Sequence, residues 1–279
     1  MTNELSAPPQ IAVSTWSLHN LLGVTYANGP GDTPTGIAQP TFGTRSVTLE
    51  NLPTELAQRG YFRVEICHFN FASRDPAYLV AIRSAFEKSG VTIQTLLIDD
   101  GDITNPATRA RDLEWTASWI EAAAMLGAEN ARVIAGKAKP SDAALALSVD
   151  GLKKMASLGK ARGVRIVTEN WFDTLSTPDA VHHVLDAVGP DLGFLADTGN
   201  WSGASKYADL KSIFARAELC HAKCDFGPGL VIDADDYGRC IGAAMEANYR
   251  GPYTLIFASE GDEWAGLDAE RAFVLAQYS

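Results

Sequence analysis

Four cysteines in 279 residues (Cys67, Cys220, Cys224 and Cys240) are too few to frame a disulfide-stapled secreted scaffold in a chain this long. Basic residues are also scarce, with 23 Lys and Arg against 34 Asp and Glu and a formal net charge of −11. That balance argues against a nucleic-acid partner, because phosphate backbones are held by clustered Lys and Arg. No run approaches the roughly 18 consecutive apolar residues of a membrane span. The opening segment, MTNELSAPPQ, has neither a basic stretch nor an apolar one. It reads as a flexible tail over residues 1–10 rather than a signal peptide, and a cytoplasmic location is expected. No glycine-rich nucleotide loop follows the first apolar strand, which weighs against a doubly wound open sheet.

What is present is an ordinary globular composition, 46% hydrophobic and 20% charged. Short β-rich runs alternate with helical patterns to the end of the chain. Strands are expected at 11–15, 63–67, 92–98, 132–135, 165–168, 192–196, 218–221 and 253–258. Helices are expected near 49–59, 76–89, 107–126, 142–162, 178–188, 206–215, 236–247 and 267–277. Asp75-Pro76 and Thr177-Pro178 read as helix caps followed by proline at the first helical position. Gly90, Gly127, Gly163 and Gly251 mark helix ends. Eight such units predict an α/β fold, a single (β/α)8 TIM barrel over residues 11–279, since barrels of about 250 residues are one domain. The alternation is interrupted once, by a long Gly-, Pro- and Thr-rich insertion over residues 18–47. It leaves from the end of strand one, so it is expected to cover the mouth where barrel chemistry resides.

Three polar motifs end successive apolar strands: RIVTENW with Glu169, LGFLADTGNW with Asp197, and ELCHAKC with His221. Side chains alternate faces along a strand, so Val167 and Glu169 share a side, as do Leu195 and Asp197, and Leu219, His221 and Lys223. Two carboxylates and an imidazole aimed into one barrel mouth repel and desolvate one another unless a cation joins them, and they suit a divalent metal. Singly, each has a blander reading as a turn former or helix cap. Asp99-Asp100-Gly101-Asp102 lacks the spacing of a calcium loop and reads as a turn. His182-His183 reads as helix surface.

On these motifs the sequence resembles the xylose isomerase-like TIM barrel superfamily of sugar isomerases and epimerases. The resemblance runs from Ser14-Thr15-Trp16 through Val64-Glu65-Ile66 to the final helix, and is strongest at Thr168–Trp171, Ala196–Trp201 and His221–Cys224. It implies a divalent-metal-dependent isomerase or epimerase acting on a small sugar or sugar-derived substrate. Glu169, Asp197 and His221 would hold the metal (Mn, Mg, Co or Zn), and Glu169 and Lys223 would be catalytic. From their own places past the strand ends, His68, Trp16, Trp171, Asn200 and Glu260 are candidates to meet the substrate, with Trp201 as a further aromatic wall; the blander readings are an exposed strand-end histidine for His68 and packing alone for two of the tryptophans. Two positions depart from the family pattern: Cys224 follows His-x-Lys where Asp is usual, and Ile256 stands where a fourth ligand, a glutamate, normally sits. Ile256 is expected to face the barrel interior, leaving three protein ligands. The loss of a second carboxylate keeps open a metal-dependent lyase or dehydratase on the same barrel, and a non-catalytic sugar-binding barrel is the rival of another class. Cys67 and Cys224 are weighed as substitute acid–base groups against the commoner reading of small buried hydrophobes. The apolar stretch Phe273-Val274-Leu275 packs either on the barrel or on a second copy in a homo-oligomer.

Overall fold

The computed structural model describes residues 8–279, so the first seven residues of the expected tail lie outside it. Eight parallel strands close into a barrel: β1 Ile11–Ser14, β2 Arg63–Cys67, β3 Thr92–Ile98, β4 Asn130–Val133, β5 Arg165–Glu169, β6 Leu192–Asp197, β7 Leu219–Cys224 and β8 Tyr253–Phe257. Each pairs with its sequence neighbours, and β8 closes the ring on β1 through Ile11–Tyr253, Ala12–Thr254 and Val13–Leu255. The connecting helices are α1 Leu52–Gln58, α2 Pro76–Lys88, α3 Arg109–Leu126, α4 Asp142–Arg162, α5 Pro178–Val188, α6 Lys206–Phe214, α7 Ala234–Glu246 and α8 Glu263–Ala276. The fold is the expected (β/α)8 barrel.

Alternation along the strands sorts the core into two layers. Outward residues such as Leu96, Phe194, Leu255 and Phe257 pack with the helices, whereas Val167, Leu195 and Leu219 form a small separate cluster inside the ring. The interior is unusually polar for a barrel. Gln94 donates to Glu65 Oε1 and Thr254 Oγ1 (2.9 and 3.0 Å), and Thr95 Oγ1 donates to Glu65 Oε1 at 2.8 Å. These side chains are fully buried, so each polar atom needs such a partner.

Several boundaries differ from the sequence expectation for local reasons. β4 starts at Asn130, ahead of 132, where the Asn130 amide donates to the Gln94 carbonyl at 2.8 Å. β7 continues past 221 to Cys224 because Ala222, Lys223 and Cys224 pair with Leu255, Ile256 and Phe257. α8 begins at Glu263 rather than 267, capped by the Asp262 carboxylate accepting from Ala265 N. Thr177 caps α5 as expected, whereas Asp75 occupies the capping position of α2 without a capping hydrogen bond. Helices α3 and α4 end on Gly127 and Gly163 in left-handed conformation (φ 69° and 74°), which glycine adopts without a Cβ clash.

The 18–47 insertion is a roof. It holds a helical turn, His19–Leu22, and a two-stranded ribbon pairing Thr25–Tyr26 with Ala38–Gln39. Its near end is tied to α8, where the Glu263 carboxylate accepts from the Asn20 and Leu21 amides at 2.6 and 3.0 Å. Its middle is tied to the barrel side by Asn28, which donates to the Phe71 carbonyl and accepts from Trp115 Nε1. The four cysteines are free and buried. Val274 is buried and Phe273 stacks on Tyr237, so this stretch of α8 packs on its own barrel. Among the described residues, no helix is long and apolar enough to cross a membrane.

Candidate metal centre and its cavity

Glu169, Asp197 and His221 are inward-facing residues at or near the C-terminal ends of β5, β6 and β7, and the barrel brings them together. One ligand atom from each lies within 4.8 Å of the others, and all three residues are buried. His221 Nδ1 is 3.5 Å from both Glu169 Oε1 and Asp197 Oδ2. Glu169 Oε2 is buried with no hydrogen-bond partner. This carboxylate oxygen, with no hydrogen bond and Arg132 Nε at 3.2 Å as its nearest cation, stands beside a second carboxylate and an imidazole nitrogen, a donor set that fits a divalent cation. Burial opposes charge on His221, but the facing carboxylates of Glu65 and Glu169 outweigh it and hold its pKa well above the usual range.

The three are held from behind. Glu65 on β2, fully buried, takes His221 Nε2 at 2.6 Å on Oε2 while Gln94 and Thr95 occupy Oε1. Burial works against the Glu65 carboxylate, yet His221 and these hydrogen bonds together bring its pKa below the usual value. A His that donates from Nε2 to a carboxylate keeps the Nδ1 lone pair free for a metal. Asn170 clamps the Asp197 backbone from both sides, donating to its carbonyl (3.0 Å) and accepting its amide (2.7 Å). The turn after β6 returns Gly199 N to Asp197 Oδ1 at 2.6 Å and Asn200 Nδ2 to Glu169 Oε1 at 2.9 Å.

A cavity of about 410 Å³ opens over this centre. Arg132 on β4 lies on its floor, almost completely buried, with its guanidinium 4.7 Å over the Trp171 ring and Nε 3.2 Å from Glu169 Oε2. Its Nη2 is paired with Asp99, while Nε and Nη1 have no hydrogen-bond partner. Burial would raise the Asp99 pKa, but the Arg132 charge outweighs it and holds the carboxyl well below its ordinary range. Half-buried Lys223 lines the same cavity without an ion-pair partner among the described residues. The roof contributes His19, Asn20 and Phe42. His19 stacks on Phe42 (4.0 Å, 15°) and meets Trp16 edge-on. Burial pushes the His19 pKa down to about 4, against a small opposing pull from Asp99, so this imidazole is neutral at neutral pH.

Of the residues expected from the sequence, Trp16, Trp171, Asn200 and Lys223 line this cavity together with the three ligands. His68 does not: it lines a neighbouring cavity, with Nδ1 accepting from the Asp99 amide at 3.1 Å. Glu260 is exposed and outside both cavities, because the chain turns at Gly261 instead of continuing β8; the carboxylate that reaches the mouth is Glu263. Trp201 packs against the hydrophobic core instead of forming a wall. Cys67 and Cys224 are buried and line neither cavity, and burial pushes both thiols up. Ile256 faces the cavity, in register with Lys223, and brings no ligand atom. Sequence reasoning missed Glu65, Arg132, Asp99 and His19. The available signal was register, since Arg132 pairs beside inward-facing Val167 and Glu65 lies between outward-packed Val64 and Ile66.

The family model described as "Xylose isomerase-like TIM barrel" matches residues 53–273, and the chain belongs to that family. No curated protein matches the sequence. Among solved structures, an L-ribulose 3-epimerase is similar at TM-score 0.71 and 17% identity, over 97% of this chain and 95% of that one. A D-allulose 3-epimerase from Methylomonas sp. is similar at TM-score 0.69 and 15% identity, over 98% of both chains. A xylose isomerase-like TIM barrel protein from Mycobacterium smegmatis, in complex with magnesium, is similar at TM-score 0.69 and 14% identity, over 99% of both.

Proposed function

We propose that this member of the xylose isomerase-like TIM barrel family is a divalent-metal-dependent isomerase or epimerase of small sugars or sugar-derived substrates. The convergence of Glu169, Asp197 and His221 Nδ1 under a cavity lined by aromatic and polar side chains carries this reading. The likeness to a D-allulose 3-epimerase and an L-ribulose 3-epimerase supports it. Mn, Mg, Co or Zn suits two carboxylates and an imidazole, and such a cation polarises a bound carbonyl and its neighbouring hydroxyl.

The chain's own residues supply the rest. Glu169 is the carboxylate placed to take a proton from the carbon beside a carbonyl, with Asn200 fixing its Oε1. Lys223 is placed to donate to the oxygen on which charge develops. Trp16 and Trp171 line the cavity and offer apolar surface to a sugar, the faces of the Trp171 ring being taken by Arg132 and Phe172. The 18–47 roof narrows water access to the reacting carbon. Ile256 removes the carboxylate that a two-base epimerase would use on the opposite face, which favours one-base isomerisation. A metal-dependent lyase is the second reading on the same observation.

The test is proton exchange. The Mn²⁺-loaded protein with D-fructose in deuterated water is expected to incorporate deuterium at the carbon beside the carbonyl. Chelation should stop it, and Glu169→Gln should reduce it at least about a hundredfold. Metal-independent exchange, or exchange kept in Glu169→Gln, would refute the assignment.

A further inference from the structure

A second cavity of about 650 Å³ adjoins the one above the metal centre and shares Trp16, Phe42 and Trp171 as its wall. Small-ligand pockets run roughly 300–1,000 Å³, so the 410 Å³ cavity serves one sugar unit by itself. The second is therefore surplus to a monosaccharide. Its lining combines aromatic rings (Tyr26, Phe69, Phe172) with carboxylates (Asp32, Asp99, Asp100), a combination that suits the apolar and hydroxyl-bearing sides of a sugar ring.

The boundary between the cavities has an open hydrogen-bonding capacity on each side. The Arg132–Asp99 pair is buried there, with Arg132 lining the first cavity and Asp99 the second. Asp99 Oδ2 is buried without a hydrogen-bond partner, and so is Arg132 Nη1, whereas Arg132 Nε lies 3.2 Å from Glu169 Oε2. Buried polar atoms are normally satisfied, so an orphan acceptor on a residue lining one compartment and an orphan donor on a residue lining the other mark positions for ligand hydroxyls. Phe172 adds a separate observation. It is held at φ 57°, a left-handed conformation that a bulky residue seldom adopts, and its ring stacks on Trp171 at 4.2 Å.

We propose that the two cavities form one two-compartment site for a disaccharide: the sugar unit that reacts lies over Glu169, Asp197 and His221, and the second, glycosidically linked ring lies in the aromatic cavity between Phe69 and Phe172. This deepens the isomerase reading and rests on it for the identity of the reacting unit. The glycosidic oxygen passes above the Arg132–Asp99 pair. No further covalent step is involved.

Lactulose, a ketose carrying a second sugar ring, and D-fructose, which lacks that ring, are the probes. With the Mn²⁺-loaded protein, kcat/KM for deuterium exchange is expected to favour lactulose by about tenfold or more. Phe172→Ala, and independently Phe69→Ala should the first variant misfold, is expected to lower that preference about fivefold or more. Equal kcat/KM for the two sugars, or variants that lower both equally, overturns the proposal. Exchange on neither sugar would fail the isomerase reading instead. Calorimetric binding of the same two sugars then decides the two-compartment site: tighter lactulose binding that depends on Phe172 supports it, and equal binding overturns it.

Discussion

Replacing Glu65 by glutamine tests the metal centre without touching a ligand. Glu65 accepts on both oxygens: Gln94 and Thr95 donate to Oε1, and His221 Nε2 lies 2.6 Å from Oε2. A glutamine keeps one acceptor and gains an NH₂. If its oxygen stays with Gln94 and Thr95, the NH₂ faces His221 Nε2 and forces that nitrogen to accept. The imidazole proton then moves to Nδ1, the atom 3.5 Å from Glu169 Oε1 and Asp197 Oδ2, and blocks the lone pair needed there. If the amide flips instead, two buried donors lose their acceptor, at about 1–3 kcal/mol each. Either route makes the metal-competent tautomer the costly one. Losing such a carboxylate behind a ligating histidine costs about 10–100-fold in metal affinity, or about 1.4–2.7 kcal/mol. Titration calorimetry of Mn²⁺ into metal-free wild type and Glu65→Gln, with circular dichroism to verify the fold, measures this directly. Affinities within about threefold of each other would refute both the ligand assignment of His221 and the tautomer argument.

Three further outcomes follow from the same coordinates. Ile256→Glu places a carboxylate beside the cation at the position in register with Lys223 and should tighten Mn²⁺ binding about tenfold by the same calorimetry, since affinity follows ligand charge; unchanged binding would mean Ile256 does not face the metal. Glu260→Gln should leave deuterium exchange within about twofold of wild type, because the residue is exposed outside the cavity; a variant as inactive as Glu169→Gln would restore a second essential base. Glu270 is fully buried with neither oxygen hydrogen-bonded, and burial raises its pKa well above the usual value. The folded state thus favours the neutral acid, so Glu270 costs stability increasingly as pH rises above its unfolded pKa of about 4.3. Glu270→Gln should therefore raise Tm relative to wild type by more at pH 8 than at pH 5, by a few degrees for each roughly 1 kcal/mol gained; scanning calorimetry at the two pH values showing a constant or shrinking gap would contradict this.

The barrel was legible because alternating strand and helix patterns are local, and eight repeats leave few topologies open. The three ligands were legible for the same reason: Glu169, Asp197 and His221 each follow an inward apolar residue on their own strand, a period-two pattern visible within a few residues. What supports them was not. Glu65 meets His221 across 156 residues, and Arg132 meets Asp99 across 33, and nothing in either segment announces the partner. A charged residue within a strand reads as solvent-facing until register places it inside the ring, and Asp99-Asp100-Gly101-Asp102 reads as a turn until Arg132 is found beneath it. Glu260 failed for a different reason. The turn at Gly261 (φ 123°) and the Asp262 cap, which have no period to read in the sequence, hand the mouth position to Glu263.

The Glu263 tie between the roof and α8 also has a bearing on how the molecule matures. Asn20 and Glu263 are separated by 243 residues, and the β1–β8 seam beneath them joins strands almost as distant in sequence. Contacts of such separation form late, after the intervening loops have been closed. During synthesis the segment over the mouth emerges before the ligand strands and its Asn28 ties to Phe71 and Trp115 come early, but its near end is not fastened until Glu263 has left the ribosome. The ligand strands β5–β7 therefore exist for a time beneath a cover held only at its middle, and the site gains its second tie with the first turn of α8.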